Sequence, residues 1–281
     1  MKITHLDVVS EDTNIFSLSM QKTPTSDKFL LKASAGLDAD QIVRQFYGFG
    51  KQTKPPYFLS KMPNRVVTLR IQLNPNFRVR ESYSDIRDDL YRAISLNRTG
   101  VLELLFRSGG AAMARLTGYI TRFEVPLSSE IPEVQITIQC TDSMLRGLNP
   151  VILTQADYGG GNPVTLGDNI STSPHGMSMI VTCINDDGFF RVQDKLSFPE
   201  WVFQIIPDGG FLTDDIIHLE GEFNNVNVYM ERGEEIIPLM DKIESGSLFP
   251  VVFPKRNIYY IYDSNNFEVT EISYTPTYWG V

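Results

Sequence analysis

The sequence lacks long apolar runs, is poor in cysteine, and has few basic residues in its second half. It contains no stretch of about eighteen apolar residues, which excludes a transmembrane helix. The first residues lack the apolar core of a secretory signal, so we expect the chain to be made in the cytoplasm. Cys140 and Cys183 lie far apart without the spacing of metal ligands, and we expect both to be buried free thiols.

Charge is unevenly divided along the 281 residues, whose formal net charge is −9. Residues 1–148 hold 19 basic and 15 acidic side chains, whereas residues 149–281 hold 6 and 19, which gives net charges of +4 and −13. This step predicts a first domain at 1–148, a linker and entry loop at 149–175 and a second domain at 176–281. The acidic second half argues against a specific nucleic-acid surface, because phosphates need nearby Lys and Arg.

Catalytic and metal-binding motifs are also missing. His5, His175 and His218 are accompanied by neither a nucleophile elbow nor a zinc-protease motif, so we expect them to be surface or packing residues. The glycine run 159–161 precedes an Asn-Pro pair instead of a helix and is not a phosphate loop. The sequence therefore predicts no catalytic residue, no metal site and no cofactor.

Three acidic pairs leave an enzymatic alternative open, because two carboxylates suit glycoside hydrolysis. Adjacent strand residues point to opposite faces, so we favour acidic turns on a solvated rim, with calcium at one of the first two pairs as a further hypothesis. The pairs are Asp186 with Asp187, Asp214 with Asp215, and Glu234 with Glu235.

The first half shows the period-two alternation of strands around one amphipathic helix. Ile86 and Leu90 lie at helical spacing after Ser84, which predicts a helix over 84–96 with Ser84 as its N-cap. The predicted strands of this block are 66–73, 101–106, 116–125 and 134–140.

An aromatic segment between these elements is a candidate self-assembly interface. Two consecutive prolines favour extended backbone there, and exposed aromatics on an extended segment are typical of interfaces. The alternative is a surface loop whose aromatics fold back on the local core. The candidate interface residues are Phe46, Tyr47, Phe49, Pro55, Pro56, Tyr57 and Phe58.

The second half consists of short apolar runs between turns, which is typical of a β-sandwich. Trp201, Tyr229 and Trp279 could form an aromatic platform for a sugar, although core burial is the stronger expectation for each. The predicted strands are 177–184, 201–206, 215–219, 226–230, 258–262 and 269–274, with a possible helical turn at 237–243.

These strands resemble the distal tail protein family of tailed bacteriophages, which are tail-tip and baseplate-hub proteins. In the first half the resemblance rests on the sequences of residues 65–71, 101–104, 118–120 and 134–140, on Asp88 and Leu90 in the helix, and on Glu124 and Asp142. In the second half it rests on residues 215–220, 226–229 and 274–281. The opening segments at 29–32 and 36–38 look closer to forms beside contractile tails, which leaves the tail type open.

The resemblance implies a mainly β protein with one packed helix. Its N-terminal domain would be tail-tube-like and ring-forming, and its C-terminal domain a galectin-like β-sandwich. It also implies a structural virion protein, assembled in the bacterial host cytoplasm and located at the tail tip. The implied partners are identical copies in a ring of six, the tail tube protein, hub or tip proteins and a receptor-binding protein. A carbohydrate-binding or depolymerising tail protein acting on host surface glycans is the alternative.

Overall fold

The computed structural model describes most of the chain, and the described residues are mainly β-strand, as the sequence predicts. They form two compact units, one of Met1–Leu148 with Tyr278–Val281 and one of Asn149–Thr277. The described residues are 3–10, 13–20, 28–37, 65–74, 82–96, 101–108, 111–124, 133–158, 162–167, 171–194, 201–222, 225–254, 257–262 and 265–279.

The elements are numbered in chain order. The first are β1 (His5–Ser10), β2 (Thr13–Ser19), β3 (Phe29–Ala35), β4 (Val66–Leu73), α1 (Tyr83–Leu96), β5 (Leu102–Ser108), β6 (Ala111–Glu124), β7 (Glu133–Cys140) and β8 (Leu145–Gly147). They are followed by β9 (Val151–Thr154), α2 (Gln155–Tyr158), β10 (Val164–Leu166), β11 (His175–Gly176), β12 (Ser178–Cys183), β13 (Phe190–Asp194), β14 (Trp201–Ile205), β15 (Ile216–Glu222), β16 (Asn225–Arg232), β17 (Glu235–Pro238), β18 (Val251–Val252), β19 (Asn257–Ile261), β20 (Phe267–Tyr274) and β21 (Thr277–Tyr278).

The sheet of the first unit closes on itself. Its strands follow the order β6, β5, β1, β2, β3, β4, β7, and β7 pairs back onto β6. Closure is possible because β6 is long: residues up to Gly118 pair with β5, and residues from Gly118 onward pair with β7. The first half of β6 also pairs with β8, and β21 lies next to β8 in the strand order of the sheet. In a closed sheet each strand has a neighbour on both sides, so the backbone N–H and C=O groups of the strands are paired within the sheet.

Alternate residues of these strands fill the interior of the closed sheet. In β4, the side chains of Val67, Leu69, Ile71 and Leu73 are buried, which confirms the predicted period-two face. β5 and β7 alternate in the same way, with buried Leu102, Leu104, Phe106, Val134, Ile136, Ile138 and Cys140. Each such aliphatic side chain contributes about 1.5–3 kcal/mol of burial free energy.

Helix α1 packs its apolar stripe on this core through Ile86 and Leu90, which are both buried. The predicted N-cap at Ser84 is wrong, because the helix begins at Tyr83 and Ser82 is its cap. The backbone N–H of Asp85 donates to Ser82 Oγ at 3.3 Å, and the N–H of Ser82 donates to Asp85 Oδ2 at 2.9 Å. This reciprocal capping box satisfies backbone donors that the first turn leaves open.

A buried arginine holds three parts of the first unit together. The Arg65 side chain is 1% exposed. Its guanidinium donates to the carbonyl oxygens of Leu37 and Trp279, while its own carbonyl accepts the N–H of Cys140. Tyr278 lies in the same apolar core. The end of the chain is therefore part of the first unit.

The second unit is built from two main sheets around one apolar core. One sheet has the strand order β17, β16, β15, β12, β20, β9, and the other has the order β10, β19, β13, β14. A short pair, β11 with β18, accompanies them. The possible helical turn at 237–243 is partly strand, since β17 ends at Pro238 and a 3₁₀ turn follows at Met240–Lys242.

Residues 149–175, suggested by the sequence as linker and entry loop, contain regular structure. β9 pairs with β20 and β10 pairs with β19, so both strands belong to sheets of the second unit.

Both cysteines are free and buried, as predicted. Burial and the nearby charge of Asp215 raise the pKa of Cys183 to about 11, which keeps this thiol protonated at neutral pH.

Gly118 provides a test of how the first sheet closes. A Cβ at this position would lie 2.6 Å from the carbonyl oxygen of Gln139 in β7, so that β6 and β7 would have to separate. We expect Gly118→Ala to lower the free energy of unfolding by about 1–3 kcal/mol. Chemical denaturation followed by circular dichroism measures the change.

Gly188→Ala is the control, because a Cβ there would have no atom within 4 Å. We expect a change below about 1 kcal/mol for it. Equal losses of stability in the two variants would contradict the assigned role of Gly118 in closure.

Candidate functional site: the outer face of the six-stranded sheet

One side of the six-stranded sheet in the second unit packs on the core, and the other side forms a polar surface that we call the outer face. Strand registers place its residues in rows: Glu220 is paired with Ser178 and Ser178 with Ser273, while His218 is paired with Ile180 and Ile180 with Glu271. The outer face comprises Ser178, Ile180, His218, Glu220, Glu222, Asn227, Tyr229, Glu231, Glu271 and Ser273.

The outer face is acidic. Four of its residues are glutamates, Glu220, Glu222, Glu231 and Glu271, and none of the residues assigned to it is Lys or Arg. On β15, His218, Glu220 and Glu222 alternate with the buried residues Ile217 and Leu219. This one strand therefore supplies two of the four glutamates. The surface is therefore suited to a cationic ligand and repels an anionic one.

A stacked pair of rings lies at the centre of this face. The rings of His218 and Tyr229 are nearly parallel, with centroids 4.5 Å apart and an interplanar angle of 6°. His218 Nε2 lies 3.2 Å from Glu231 Oε1. Burial, followed by the charges of Glu220 and Glu231, raises the pKa of the Tyr229 hydroxyl. Tyr229 thus remains a neutral phenol at physiological pH.

Beside the stacked pair, β12, β15 and β20 enclose a shallow depression of about 240 Å³. Three carboxylates and two hydroxyls line it, from Glu220, Glu222, Glu271, Ser178 and Ser273. Thr275 Oγ1 donates to Glu222 Oε1 at 3.1 Å, which orients that carboxylate. The depression therefore presents mainly hydrogen-bond acceptors.

Of the three aromatic residues considered for a sugar platform, Tyr229 is the one that the structure places on the outer face. Tyr229 lies on the outer face instead of in the core, so the expectation of core burial is wrong for this residue. Trp279 is half-buried and belongs to the first unit, and the side chain of Trp201 lies outside the described part of the chain. His218 also covers one face of the Tyr229 ring.

Asp215 lies in a buried hydrogen-bonded network with Arg232 and neighbouring backbone groups. The Asp215 side chain is 2% exposed and accepts two hydrogen bonds from Arg232, at 3.0 and 2.7 Å. It also accepts the N–H of Leu212 at 2.7 Å, and Arg232 donates to the carbonyl oxygen of Gly210. The hydrogen bonds that Arg232 donates to Asp215 raise the pKa of Arg232. The expected solvated rim is therefore wrong for Asp215.

The other acidic residues of these pairs lie in turns. Asp186 accepts the N–H and the hydroxyl of Thr213, which lowers its pKa, and Asp187 accepts the Asn266 amide at 2.9 Å. Asp214 has a positive φ of 72°. Glu234 is exposed in the turn between β16 and β17, and Glu235 is exposed at the start of β17.

Within the described residues, no group of three or more His, Cys, Asp and Glu side chains could hold a metal ion. The Asp186, Asp187 and Asp215 carboxylates instead accept hydrogen bonds from donors of the protein itself. Among the helices of the described part, none has the length and apolar character to cross a membrane.

His175 is a packing residue, as expected. It is 8% exposed, its ring lies 5.0 Å from that of Tyr274, and its Nδ1 lies 3.1 Å from the carbonyl oxygen of Ser173. Burial lowers its pKa. His5 lies in β1, with Nδ1 3.2 Å from Thr4 Oγ1.

The predicted self-assembly residues cannot be placed on this framework. Phe46, Tyr47, Phe49, Pro55, Pro56, Tyr57 and Phe58 all lie outside the described residues.

Comparison with known proteins identifies the fold. No family model and no curated protein matches the sequence significantly. The crystal structure of Dit from phage SPP1, described as a paradigm of the hub adsorption apparatus in phages that infect Gram-positive bacteria, is similar with a TM-score of 0.57. The similarity covers 97% of this chain and 98% of that chain, at 10% identity. The resemblance to distal tail proteins is thereby confirmed in fold.

Two structures of the phage p2 baseplate in its activated conformation, one with strontium and one with calcium, also align with this chain. They cover 96% and 99% of this chain and 97% and 98% of theirs, at 8% and 7% identity. Their TM-scores are both 0.38, too low to support an argument.

Two ion pairs of the second unit test how strongly burial of the carboxylate affects the contribution of an ion pair to stability. Asp215 is buried beside Arg232, whereas Asp208, 2.6 Å from Lys242, is 89% exposed. We expect Asp215→Asn to lower the free energy of unfolding by about 3–5 kcal/mol, because it leaves a cation without its buried partner. Asp208→Asn should cost less than about 1 kcal/mol. Urea denaturation measures both, and a small loss for Asp215→Asn would contradict the structural role.

His175 predicts a pH dependence of stability. Because its pKa is lowered on folding, the unfolded chain binds the proton more tightly, and stability is lost as the pH falls below about 6.5. We expect His175→Gln to reduce the loss of stability between pH 7.5 and pH 5. Thermal melts across this range test it, and an unchanged pH dependence in the variant would refute it.

Proposed function

We propose that the protein is a structural component of a phage virion, located at the distal end of the tail in the tip or baseplate hub. The observation that carries the proposal is the likeness to SPP1 Dit, which extends over nearly the whole of both chains and so includes both units. In this role the protein acts through contacts with other proteins and catalyses no reaction.

The proposed division of labour follows the two units. Residues 1–148 would be the ring-forming, tail-tube-like domain, and residues 176–281 a galectin-like β-sandwich, with residues 149–175 leading into it. A sheet with one packed helix, α1, supports the first assignment. Two sheets around one core support the second. The ring would contain six copies and would join the tail tube to hub or tip proteins and to a receptor-binding protein.

Side-chain faces, not open strand edges, would form contacts between the copies. The closed sheet already satisfies most of its edges within one chain, so edge pairing gives no argument for a ring. An uncharged surface on the first unit is a better candidate. Val66 and Tyr119 are 44% and 45% exposed and flank Gln139, with which both are paired. Exposed aromatic and apolar residues without charge are typical of the centre of an interface.

Glycan binding is the second candidate function. Tyr229 on the outer face, next to carboxylates and hydroxyls, is the observation that favours it. The His218 ring over Tyr229 weighs against a stacking platform, because it occupies one face of the phenol.

The ring can be tested by mass photometry of the purified chain. Six chains of 31.8 kDa give a particle of about 190 kDa. We expect this species in the wild type, and at least a tenfold higher dissociation concentration for Val66→Ser with Tyr119→Ser, or for Tyr57→Ser with Phe58→Ser.

Leu212→Ser with Leu248→Ser is the control, since both leucines are exposed in the second unit at 42% and 43%. It should leave the ring intact. A wild-type chain that stays monomeric at high concentration and is missing from assembled virions would refute the proposed function.

A further inference from the structure

We infer that a cavity beside α2 in the second unit is a binding site for one neutral hexose residue of a glycan. This inference goes beyond the proposed tail-tip role, because it identifies a ligand site and the chemistry of its ligand. It places that site away from the outer face and Tyr229. It depends on the second unit alone and does not require a ring.

The cavity exists because β9 ends before its partner strand β20 does. The last pair between the two strands is Thr154 with Glu271, and the chain then turns into α2 at Gln155. Beyond that pair, the described part of the chain places no strand on this side of β20. The hydroxyl of Tyr158, at the end of α2, donates to the carbonyl oxygen of Val269 in β20. The space that remains beside α2 is a cavity of about 310 Å³.

The inner wall of the cavity is apolar. It consists of Val164 in β10, Ile261 in β19, and Phe267 and Val269 in β20, which are each 5% exposed or less. Asn162 closes the wall at β19, where its carboxamide binds the N–H and the carbonyl oxygen of Ile261 at 2.9 and 2.5 Å. The backbone of Ile261 is therefore paired at this point, and the wall offers apolar contact to the C–H groups of a ligand.

The outer part of the cavity is polar. Gln155 Nε2 donates to Glu268 Oε1, which orients this carboxylate. Asn265 is exposed, and its carboxamide carries both donors and an acceptor. Burial, followed by the charge of Glu268, raises the pKa of Tyr158 to about 12, so its phenol is neutral. Ile184, 43% exposed, is the apolar residue at this level.

Size and polarity together select the ligand. The volume lies at the lower end of the range of ligand pockets, about 300–1,000 Å³, which suits a single ring. Hydroxyl groups both donate and accept, so they match the Glu268 carboxylate and the Asn265 carboxamide together. The C–H groups of a sugar ring match the apolar wall.

Other ligands suit the cavity less well. An anion would meet the charge of Glu268. An ammonium or guanidinium group carries only donors and would not use the donors of the Asn265 carboxamide. A wholly apolar group would displace water from the polar side chains without replacing its hydrogen bonds.

The test uses the full chain and the methyl glycosides of glucose, galactose, mannose and N-acetylglucosamine as probes. The open-chain polyol sorbitol is the matched probe, because it has similar hydroxyls without the ring. We expect saturable binding of at least one glycoside, measured by saturation-transfer NMR, and none of sorbitol. Glu268→Gln should weaken this binding about tenfold, because a hydroxyl donates more strongly to a charged acceptor. Asn265→Ala should weaken it about threefold or more.

Two matched substitutions outside the cavity are the controls. Glu271→Gln removes the same charge from the same strand, and Asn227→Ala removes a carboxamide from β16, both on the outer face. We expect less than a twofold effect of either. Equal weakening by the cavity variants and their controls would overturn the inference. Absence of binding of all four glycosides, or equal binding of sorbitol, would overturn it as well.

Two further measurements separate this inference from its alternatives. Glycoside binding that Tyr229→Ala abolishes and Asn265→Ala leaves unchanged would assign the sugar to the outer face instead. Saturable binding of N-acetyl-leucine methylamide in place of the glycosides would replace the sugar by a protein side chain. Mass photometry of the cavity variants should show the oligomer of the wild type, so that failure of this site and failure of the ring are separate results.

Discussion

The closure of the first sheet by a single strand is the constraint on which the first unit depends. β6 pairs with β5 along its first half and with β7 along its second, and Gly118 is paired on both sides at the point of change. The closed sheet is weaker between β2 and β3, because these two strands are joined by a single parallel residue pair, Ser19 with Leu30. Removing the β6–β7 pairing would expose two strand edges and the apolar interior together. A side chain at Gly118 therefore destabilises the fold, because the two backbones approach closely there.

Period-two patterns predicted the strands with one buried face. Val67 to Leu73 and Val134 to Cys140 alternate clearly, and the structure has β4 and β7 at those positions. β1 and β2 were missed because they are short and rich in polar residues, among them the buried Asp7 and Ser19. Asp7 is paired with Arg107 of β5, which explains how this carboxylate is buried, and that partner lies 100 residues away.

The outer face was only partly visible in the sequence. His218, Glu220 and Glu222 alternate with apolar residues on one strand, and this pattern alone predicts a polar surface. That Glu271 joins them depends on a bulge, because the register of β12 and β20 shifts between Ile180 and Val181. The excess of acid in the second half was visible from composition. Composition does not show which carboxylates are buried: Asp215 leaves the surface because it pairs with Arg232, which lies 17 residues further along the chain.

The chain enters the second unit after Leu148 and returns to the first at Tyr278, so the second unit is an insertion within the first. Arg65 fastens the returning segment through the carbonyl oxygen of Trp279. A protease that cuts once between these points would leave the C-terminal piece covalently joined only to the segment from Tyr278 onward, which noncovalent contacts such as the Arg65–Trp279 hydrogen bond hold on the first unit. Limited digestion could therefore nick this protein without shedding either piece, and only a denaturing gel would reveal the cut.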